Sequence, residues 1–516
     1  MNRAWFLAAL MFAGQWGSTL SVVAQETSRP PEREDGALEP AAILHQVYEM
    51  SFGAPPYERA FVLFDLAQAS MQIDRELAAK YAKELFEESQ HVPMEWYNYR
   101  RASQMNAVRL LASVGDVSEA AELFDRMDPP KIGTGGKVLE DMREGALQAL
   151  VPALLEGDRV EGLAWATRAV RQVGASGHYP YVVAQQVIQE LLNDDSLEAE
   201  ILYSEAITAF EKNKGLSSAR LAFVDLLLKL EGKFRPGLER QGVQAAVDAL
   251  LSVETPKNVR TMVRLTLKNE KSVTLRTLED QSLFRLLPLF AKYEPERADK
   301  LLRERAGLQM ALEEGGAIQS QEAVVVVEEH GEGTELDAAA ARGLDWRRVR
   351  RINQVAPQDP EEALRLSDTI NRKAPRAAAL ARTAAAVAND DPQRASTLLK
   401  ESLSLLGKVE EPSERLRVLP AVLRAYVNLK NSKQVADTYV AILDLGTELL
   451  EQEIASDPHV PLFVTTSLRQ LLDATKFAAA FDPEPRLLEL SRLDNPLLQS
   501  HLMIEVARTI GASRQE

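Results

Sequence analysis

The sequence predicts an all-α protein made of stacked helical hairpins. Apolar residues recur at steps of three and four from about residue 39 onwards, which is the period of amphipathic helices. A turn followed by a helix cap recurs at intervals of about 30 to 40 residues, typical of helical-pair repeats. Strand-like alternation is scarce and is found only at 272–278 and 323–327. Because the 516 residues exceed one ordinary compact core, the length also favours a repeat array or several domains.

Residues 1–24 have the layout of a secretory signal peptide. A basic residue, Arg3, precedes an apolar run over 4–13, and the segment ends on small residues, so we expect cleavage after Ala24. The apolar run is shorter than the about 20 residues that span a bilayer, although an uncleaved N-terminal anchor remains an alternative. Residues 25–38 are polar and proline-containing, and we expect a flexible leader. This layout predicts a periplasmic or secreted bacterial protein.

The composition narrows the classes of partner. The chain has no cysteine, so disulfides and thiolate metal sites are excluded. Its net charge of −16 repels nucleic-acid phosphates and anionic lipid headgroups. We therefore expect neither nucleic acid nor a membrane as partner once the signal peptide is removed.

Two local sequence patterns mark the starts of helices and define the predicted repeats. In "GDVSE", Asp116 is placed to cap a helix, and Glu119 can reach back to the cap amide. The preceding Gly115 suits the left-handed turn that ends a helix. The same pattern recurs at Gly157, Asp158 and Glu161, and at Asp195 and Glu198. A second version places proline at the first helical position, where its missing amide costs nothing, as at Pro295, Pro360, Pro392 and Pro483.

Small-against-large packing is predicted over residues 359–450. The stretch "RAAALARTAAAVA" is mostly alanine, whereas the next helix carries its leucines on one face, so two backbones can approach closely. These features, with the proline that follows, resemble the tetratricopeptide-like α-solenoids. The resemblance implies stacked hairpins with an extended surface for another macromolecule. Divergent tetratricopeptide units and generic helical hairpins both remain open.

An acidic, glycine-bearing interval divides the predicted repeats. Residues 306–343 lack caps, and we expect a linker that is mostly disordered. The valines of 323–327 could instead form a short edge strand or an adhesive linear motif. The sequence thus predicts an N-terminal repeat segment, 39–305, and a C-terminal one, 344–512.

The common catalytic and metal-binding motifs are not found. The glycine-rich stretch 129–141 has Lys131 and Val138 where a phosphate loop needs a glycine and a hydroxyl, so we interpret it as a loop. None of the six histidines has the short spacing of a zinc site, and "EEHGE" around His330 is better read as a solvated charge run than as a weak cation site. Ser176 lies two positions before His178 but lacks the strand-to-helix elbow of a hydrolase. Paired catalytic carboxylates stay open, since a distance in space decides them. We expect no cofactor, no metal and no catalytic residue.

One aromatic and basic cluster suggests partner binding. The stretch "PMEWYNYRRASQ" gathers five residues of the types that dominate binding hot spots, namely Trp96, Tyr97, Tyr99, Arg100 and Arg101. The alternative is a helix start at which Trp96 and Tyr99 pack inward.

The features together predict a non-enzymatic interaction protein. We expect an exported scaffold or adaptor of the bacterial cell envelope whose partner is another protein or an extended peptide. A polymer-processing envelope enzyme, acting on glycan or peptidoglycan, is the alternative from a different class. A purely structural repeat protein, with homo-oligomers, is a third possibility.

Overall fold

The computed structural model describes most of the chain from residue 38 onwards. The described ranges are 38–130, 141–194, 196–212, 217–252, 261–266, 272–275, 277–315, 324–329, 334–456, 462 and 465–514. The predicted signal peptide, nearly all of the leader, Lys131, Val138 and Asp195 lie outside these ranges. Their interpretation therefore stays a prediction.

The described chain is almost entirely helical and forms two compact units. Of the described residues, those within 38–81 and 345–514 form unit 1, and those within 82–344 form unit 2. The α-helices before the strands are α1 Pro40–Met50, α2 Pro56–Ser70, α3 Arg75–Ser89, α4 Tyr97–Val114, α5 Val117–Asp125, α6 Met142–Glu156, α7 Arg159–Ala175, α8 Tyr181–Asn193, α9 Leu197–Lys212, α10 Ser217–Lys229 and α11 Pro236–Leu251. Those after β2 are α12 Leu278–Tyr293, α13 Pro295–Glu304, α14 Ala306–Gly315, α15 Thr334–Val355, α16 Pro360–Asp368, α17 Lys373–Val387, α18 Pro392–Leu406, α19 Pro412–Asn428, α20 Ser432–Ser456, α21 Thr466–Phe481, α22 Pro483–Leu490 and α23 Pro496–Ser513. Short 3-10 helices cover Ser51–Gly53 and Met94–Trp96.

Unit 1 is held together by an alanine-rich helix and by helices from both ends of the chain. Helix α17 packs against α18 and α19, and α19 packs against α20 and α21. The alanines of α17, among them Ala377 and Ala381, are fully buried, while Leu399 of α18 fills the facing space. Helix α23 packs against α21 and also against α1 and α2. The small-against-large packing predicted from the sequence is therefore present.

Unit 2 is a second stack of helical pairs. Helix α4 packs against α5 and α6, α6 against α7, α8 against α9, and α11 against α12. Aromatic rings fill the core beside α8: the Phe210 and Phe223 rings stack with centroids 4.0 Å apart, and Tyr181 lies edge-on to both. Both units thus consist of stacked helical hairpins, and the predicted all-α, solenoid-like fold class is confirmed.

A three-stranded antiparallel sheet in unit 2 is the exception among the described residues. Its strands are β1 Thr261–Thr266, β2 Ser272–Leu275 and β3 Val324–Glu329, in the order β2-β1-β3. Val263 of β1 pairs with Leu275 on one side and with Val327 on the other. The valine run therefore forms the strand that the sequence analysis held as an alternative, because pairing satisfies the backbone groups of a β-branched run.

The observed units differ from the segments expected from the sequence. Helix α14, strand β3 and the start of α15 occupy parts of the interval 306–343, which we expected to be mostly disordered. Helices α1 and α2 belong to unit 1 with the C-terminal helices and not to an N-terminal segment ending at 305. Local periodicity identifies each helix but carries no information about which distant helix buries its apolar face.

The predicted caps are partly realised. The Asp158 carboxylate accepts from the amides of Val160 at 3.0 Å and Glu161 at 3.1 Å, as predicted. Asp116 makes no side-chain cap bond, because its carboxylate lies 3.0 Å from the Lys83 ammonium. That part of the cap prediction is wrong.

The predictions for the turn glycines are likewise only partly confirmed, whereas those for the helix-starting prolines all are. Gly115 has the predicted left-handed conformation, with φ +92°. Gly157 has φ −84°, so the left-handed turn predicted there is wrong. Proline starts the helix at all four predicted positions. Asp359 and Asp391 also accept cap bonds from the amides of Glu362 and Arg394.

Candidate functional site

The aromatic residues of the predicted binding cluster lie at the junction between a 3-10 helix and α4. Trp96 ends the 3-10 helix and Tyr99 lies in the first turn of α4, with their ring centroids 5.4 Å apart. Both side chains are half-buried. Part of each ring is therefore open to solvent, and binding by these two residues stays a prediction.

The polar groups of Tyr97 and Arg100 are used within the protein. The Arg100 guanidinium donates to the Gln90 carbonyl and to the Gln90 side chain, both at 2.8 Å, and it pairs with the Asp128 carboxylate. Only 17% of its side chain is exposed. The Tyr97 hydroxyl donates to the Pro129 carbonyl. These contacts hold the segment around Asp128 against α4, so Arg100 has a sufficient structural role.

Arg101 is buried in a cluster with two other charged residues. It is 2% exposed, and its guanidinium lies 3.4 Å from the Asp141 carboxylate. Asp141 also accepts from the Arg143 side chain at 2.6 Å and from the Ser176 hydroxyl at 3.0 Å. One fully buried carboxylate thus compensates two buried guanidiniums. This arrangement explains why arginine follows the aromatic residues, and it places Arg101 away from the surface.

Ser176 and His178 each contact a different carboxylate. The Ser176 hydroxyl donates to Asp141, whereas the His178 Nε2 lies 2.9 Å from the Glu144 carboxylate. The two residues end α7 and begin the turn before α8, as the sequence indicated. The two side chains are therefore held by different partners, Ser176 by Asp141 and His178 by Glu144.

The remaining histidines are dispersed. His45 and His91 are exposed on unit 1 and unit 2 respectively. His501 is buried in unit 1, with its Nδ1 2.9 Å from the Asp65 carboxylate. His330 and His459 lie outside the described residues. Within the described ranges, no group of three or more histidine or acidic side chains is arranged to hold a metal ion.

Unit 2 has a groove between α7, α9 and the start of α11. It has a volume of about 610 Å³. Its lining is contributed by three helices that are distant in sequence and close in space, and includes Arg171, Tyr179, Leu197, Ile201, Arg235 and Leu238. We call this surface the α9 groove.

The floor of the α9 groove is apolar and open. Leu197 is 74% exposed and Ile201 is 41% exposed, and the two are four positions apart on one side of α9. The buried stripe of the same helix, which includes Leu202 and Ile207, faces the core. Large apolar side chains outside the buried stripe are typical of an interaction surface when they lie together in a concavity.

Charged pairs form the walls of the groove. Arg171 contacts Glu198 at 2.6 Å and Glu205 at 3.0 Å, and hydrogen bonding to Glu205 raises its pKa above the ordinary value. Arg235 pairs with Glu200 at the other wall. These pairs are partly exposed, so a bound chain can exchange partners with them at small cost.

Sequence reasoning missed the α9 groove. The exposed pair Leu197 and Ile201 was a usable signal, because both lie outside the apolar stripe that predicts the buried face of α9. The charged walls could not be predicted from the sequence, because Arg171 and Arg235 approach α9 only through tertiary packing.

No helix of the described residues is long and apolar enough to cross a membrane.

No protein-family model matches the sequence, and no curated protein matches it. Among solved structures, the chain is similar to a circular tandem repeat protein with novel repeat topology and enhanced subunit contact surfaces. The identity is 13%, the match covers 92% of this chain and 99% of the other, and the TM-score is 0.17. A TM-score this low carries no argument about the present chain.

Proposed function

We propose that the protein is an exported helical-repeat scaffold of the bacterial cell envelope that binds an extended segment of another protein. The observation that carries this proposal is the α9 groove, whose exposed leucine and isoleucine form an apolar floor between charged walls. Repeat proteins use surfaces of this kind for extended contacts. The hairpin units would be divergent tetratricopeptide-like units, and export would depend on the predicted signal peptide, residues 1–24.

The geometry suits apolar anchors from a partner segment. Burying a fully exposed leucine or isoleucine contributes about 1.5–3 kcal/mol. Because Leu197 is 74% and Ile201 is 41% exposed, covering both would contribute about 2–3.5 kcal/mol, which is a part of the about 8 kcal/mol of a micromolar affinity. The charged walls would fix the direction of the segment more than its affinity.

Site-specific photo-cross-linking in cells tests the proposal. A photoreactive residue replaces Ile201, and the matched control replaces Val160, which is 79% exposed near the start of α7 in the same unit. We expect one dominant protein adduct from position 201 that is absent from position 160. The same adduct from both positions, or none from position 201, would refute binding in the groove. Glycan adducts would support the polymer-processing alternative, and adducts of the chain with itself the structural one.

A further inference from the structure

One face of unit 1 collects arginines from three helices. Arg350 lies on α15, Arg382 on α17, and Arg417 and Arg424 on α19. Helices α17 and α19 pack side by side, and α21 packs against α19. We call these four residues the arginine face. In a chain of net charge −16 such a concentration of positive charge is unexpected.

Aromatic rings and a carbonyl hold these guanidiniums in place. The Arg417 guanidinium lies 4.1 Å from the centroid of the Trp346 ring. That of Arg424 lies 5.4 Å from the centroid of the Phe477 ring. A cation–π contact of this kind holds a guanidinium over a ring and uses none of its N–H donors in an ion pair. Arg382 donates to the Val349 carbonyl at 3.3 Å.

The arginine charges act on one another. Desolvation lowers the pKa of Arg382, and the charges of Arg424 and Arg350 lower it further. Desolvation and nearby positive charge, including Arg350, also lower the pKa of Arg417. Arg350 is therefore close enough to repel both Arg382 and Arg417, and Arg424 is close enough to repel Arg382; an added anion would relieve that repulsion.

Carboxylates of the protein balance the positive charges of the arginine face only in part. Among the described residues, no carboxylate lies within ion-pair distance of Arg350, Arg382 or Arg424, although Asp473 is near enough to offset part of the charge on Arg382. Arg417 has Glu414 at 3.8 Å, but Glu414 is closer to Arg372, at 3.2 Å. The face thus has unused capacity for negative charge.

We propose that the arginine face binds a carboxylate-rich, extended segment of a partner protein. Arg417 and Arg424 are seven positions apart on the same side of α19, which places them about 10 Å apart along the helix. An extended peptide in the polyproline II conformation has three residues per turn and advances about 3.1 Å per residue, so carboxylates three positions apart lie on one side, about 9 Å apart, and would meet both arginines. Planar guanidiniums match carboxylates in paired hydrogen bonds. The acidic protein as a whole disfavours long, densely charged polyanions. The proposal adds a second surface to the scaffold and does not depend on the α9 groove.

The test uses the whole mature chain and a labelled synthetic peptide with aspartate at every third position in a glycine–serine background. Fluorescence anisotropy should show binding of this peptide that weakens with salt, and no binding of the same peptide with asparagine. The double variant Arg417→Gln with Arg424→Gln should lose about tenfold or more in affinity. The control, Arg351→Gln with Arg415→Gln, makes the same charge change at exposed positions of α15 and α19, and should change affinity less than about twofold.

Three results would overturn the proposal. They are no binding of the aspartate peptide by folded wild-type protein, equal losses in the two double variants, and tighter binding of a thymidine oligonucleotide or of phosphatidylglycerol vesicles. If the glutamine variant does not fold by circular dichroism, the double variant Arg417→Lys with Arg424→Lys replaces it. Lysine keeps the charge and loses the fork geometry, so intermediate affinity is expected. Cross-links from position 201 should be unchanged in these variants, which separates failure here from failure of the groove.

Discussion

The buried carboxylate of Asp141 provides the sharpest stability prediction. It accepts from Arg143 at 2.6 Å, lies 3.4 Å from Arg101, and accepts from the Ser176 hydroxyl at 3.0 Å. Asp141→Asn keeps the shape of the side chain and removes its charge. Two buried guanidiniums then lose the negative charge of Asp141, and breaking a buried pair in this way costs about 3–5 kcal/mol. We expect unit 2 to lose stability by that amount.

The matched control is Asp116→Asn. Asp116 contacts Lys83 at 3.0 Å, but both side chains are more than a third exposed. Solvent screens such a pair, so its loss costs about 0–1 kcal/mol. The two variants make the same chemical change in the same unit and differ in burial.

Hydrogen exchange measured by mass spectrometry is the appropriate assay. A chain with two compact units need not unfold in one step, so a single denaturation midpoint would mix the two contributions. Exchange in peptides covering α4 and α6 reports the free energy of opening next to Asp141. A decrease of less than about 1 kcal/mol in Asp141→Asn, or a decrease as large in Asp116→Asn, would refute the reasoning.

Three further predictions concern close packing, titration and a helix cap. In Gly162→Ala the new Cβ would lie 2.7 Å from the Leu154 carbonyl oxygen, so we expect a loss of about 1–3 kcal/mol in the free energy of opening of α7 measured by hydrogen exchange. Gly237→Ala, whose new Cβ has nothing within 4 Å, should show no loss in α11. Burial raises the pKa of the Glu58 carboxyl above 4.5. The protonated carboxyl therefore makes its full contribution to the stability of unit 1 below about pH 4.5, and this contribution is lost as the pH rises through the raised pKa. Glu58→Gln should flatten that decline, measured between about pH 4.5 and 7 as the free energy of opening of α2 by hydrogen exchange, and an unchanged slope would contradict the assignment. Asp158→Ala removes an acceptor for two amides and should lower the free energy of opening of α7, measured by hydrogen exchange, by about 0.5–2 kcal/mol. The control Asp116→Ala breaks no cap bond and should cost less. Equal losses in the two variants would show that the cap contributes little.

The starts of many helices could be predicted from the sequence. Proline starts four helices where predicted, and Asp158 caps α7, because these preferences depend on a few neighbouring backbone groups. Asp116 has the same local signal but contacts Lys83 of α3 instead. A competing partner that is distant in sequence cannot be inferred from the local pattern.

The candidate sites were less predictable. The aromatic and basic cluster was identified by composition alone, and composition does not distinguish an exposed arginine from Arg101, which is 2% exposed beside a buried carboxylate. The α9 groove and the arginine face both combine residues from separate helices. Only one of their features, the apolar pair Leu197 and Ile201 outside the buried stripe of α9, could have been found by periodicity.

The sequence by itself determined the helical class, the starts of many helices and the alanine-rich interface of α17, since each follows from steps of three and four residues and from local backbone chemistry. Tertiary structure alone decided that α1 and α2 share a unit with α23, and that the valines of β3 pair with β1. It also decided which charges are buried. The physical reason is common to all three: burial and pairing depend on contacts between residues far apart in the chain, and many different partners satisfy the same amphipathic pattern.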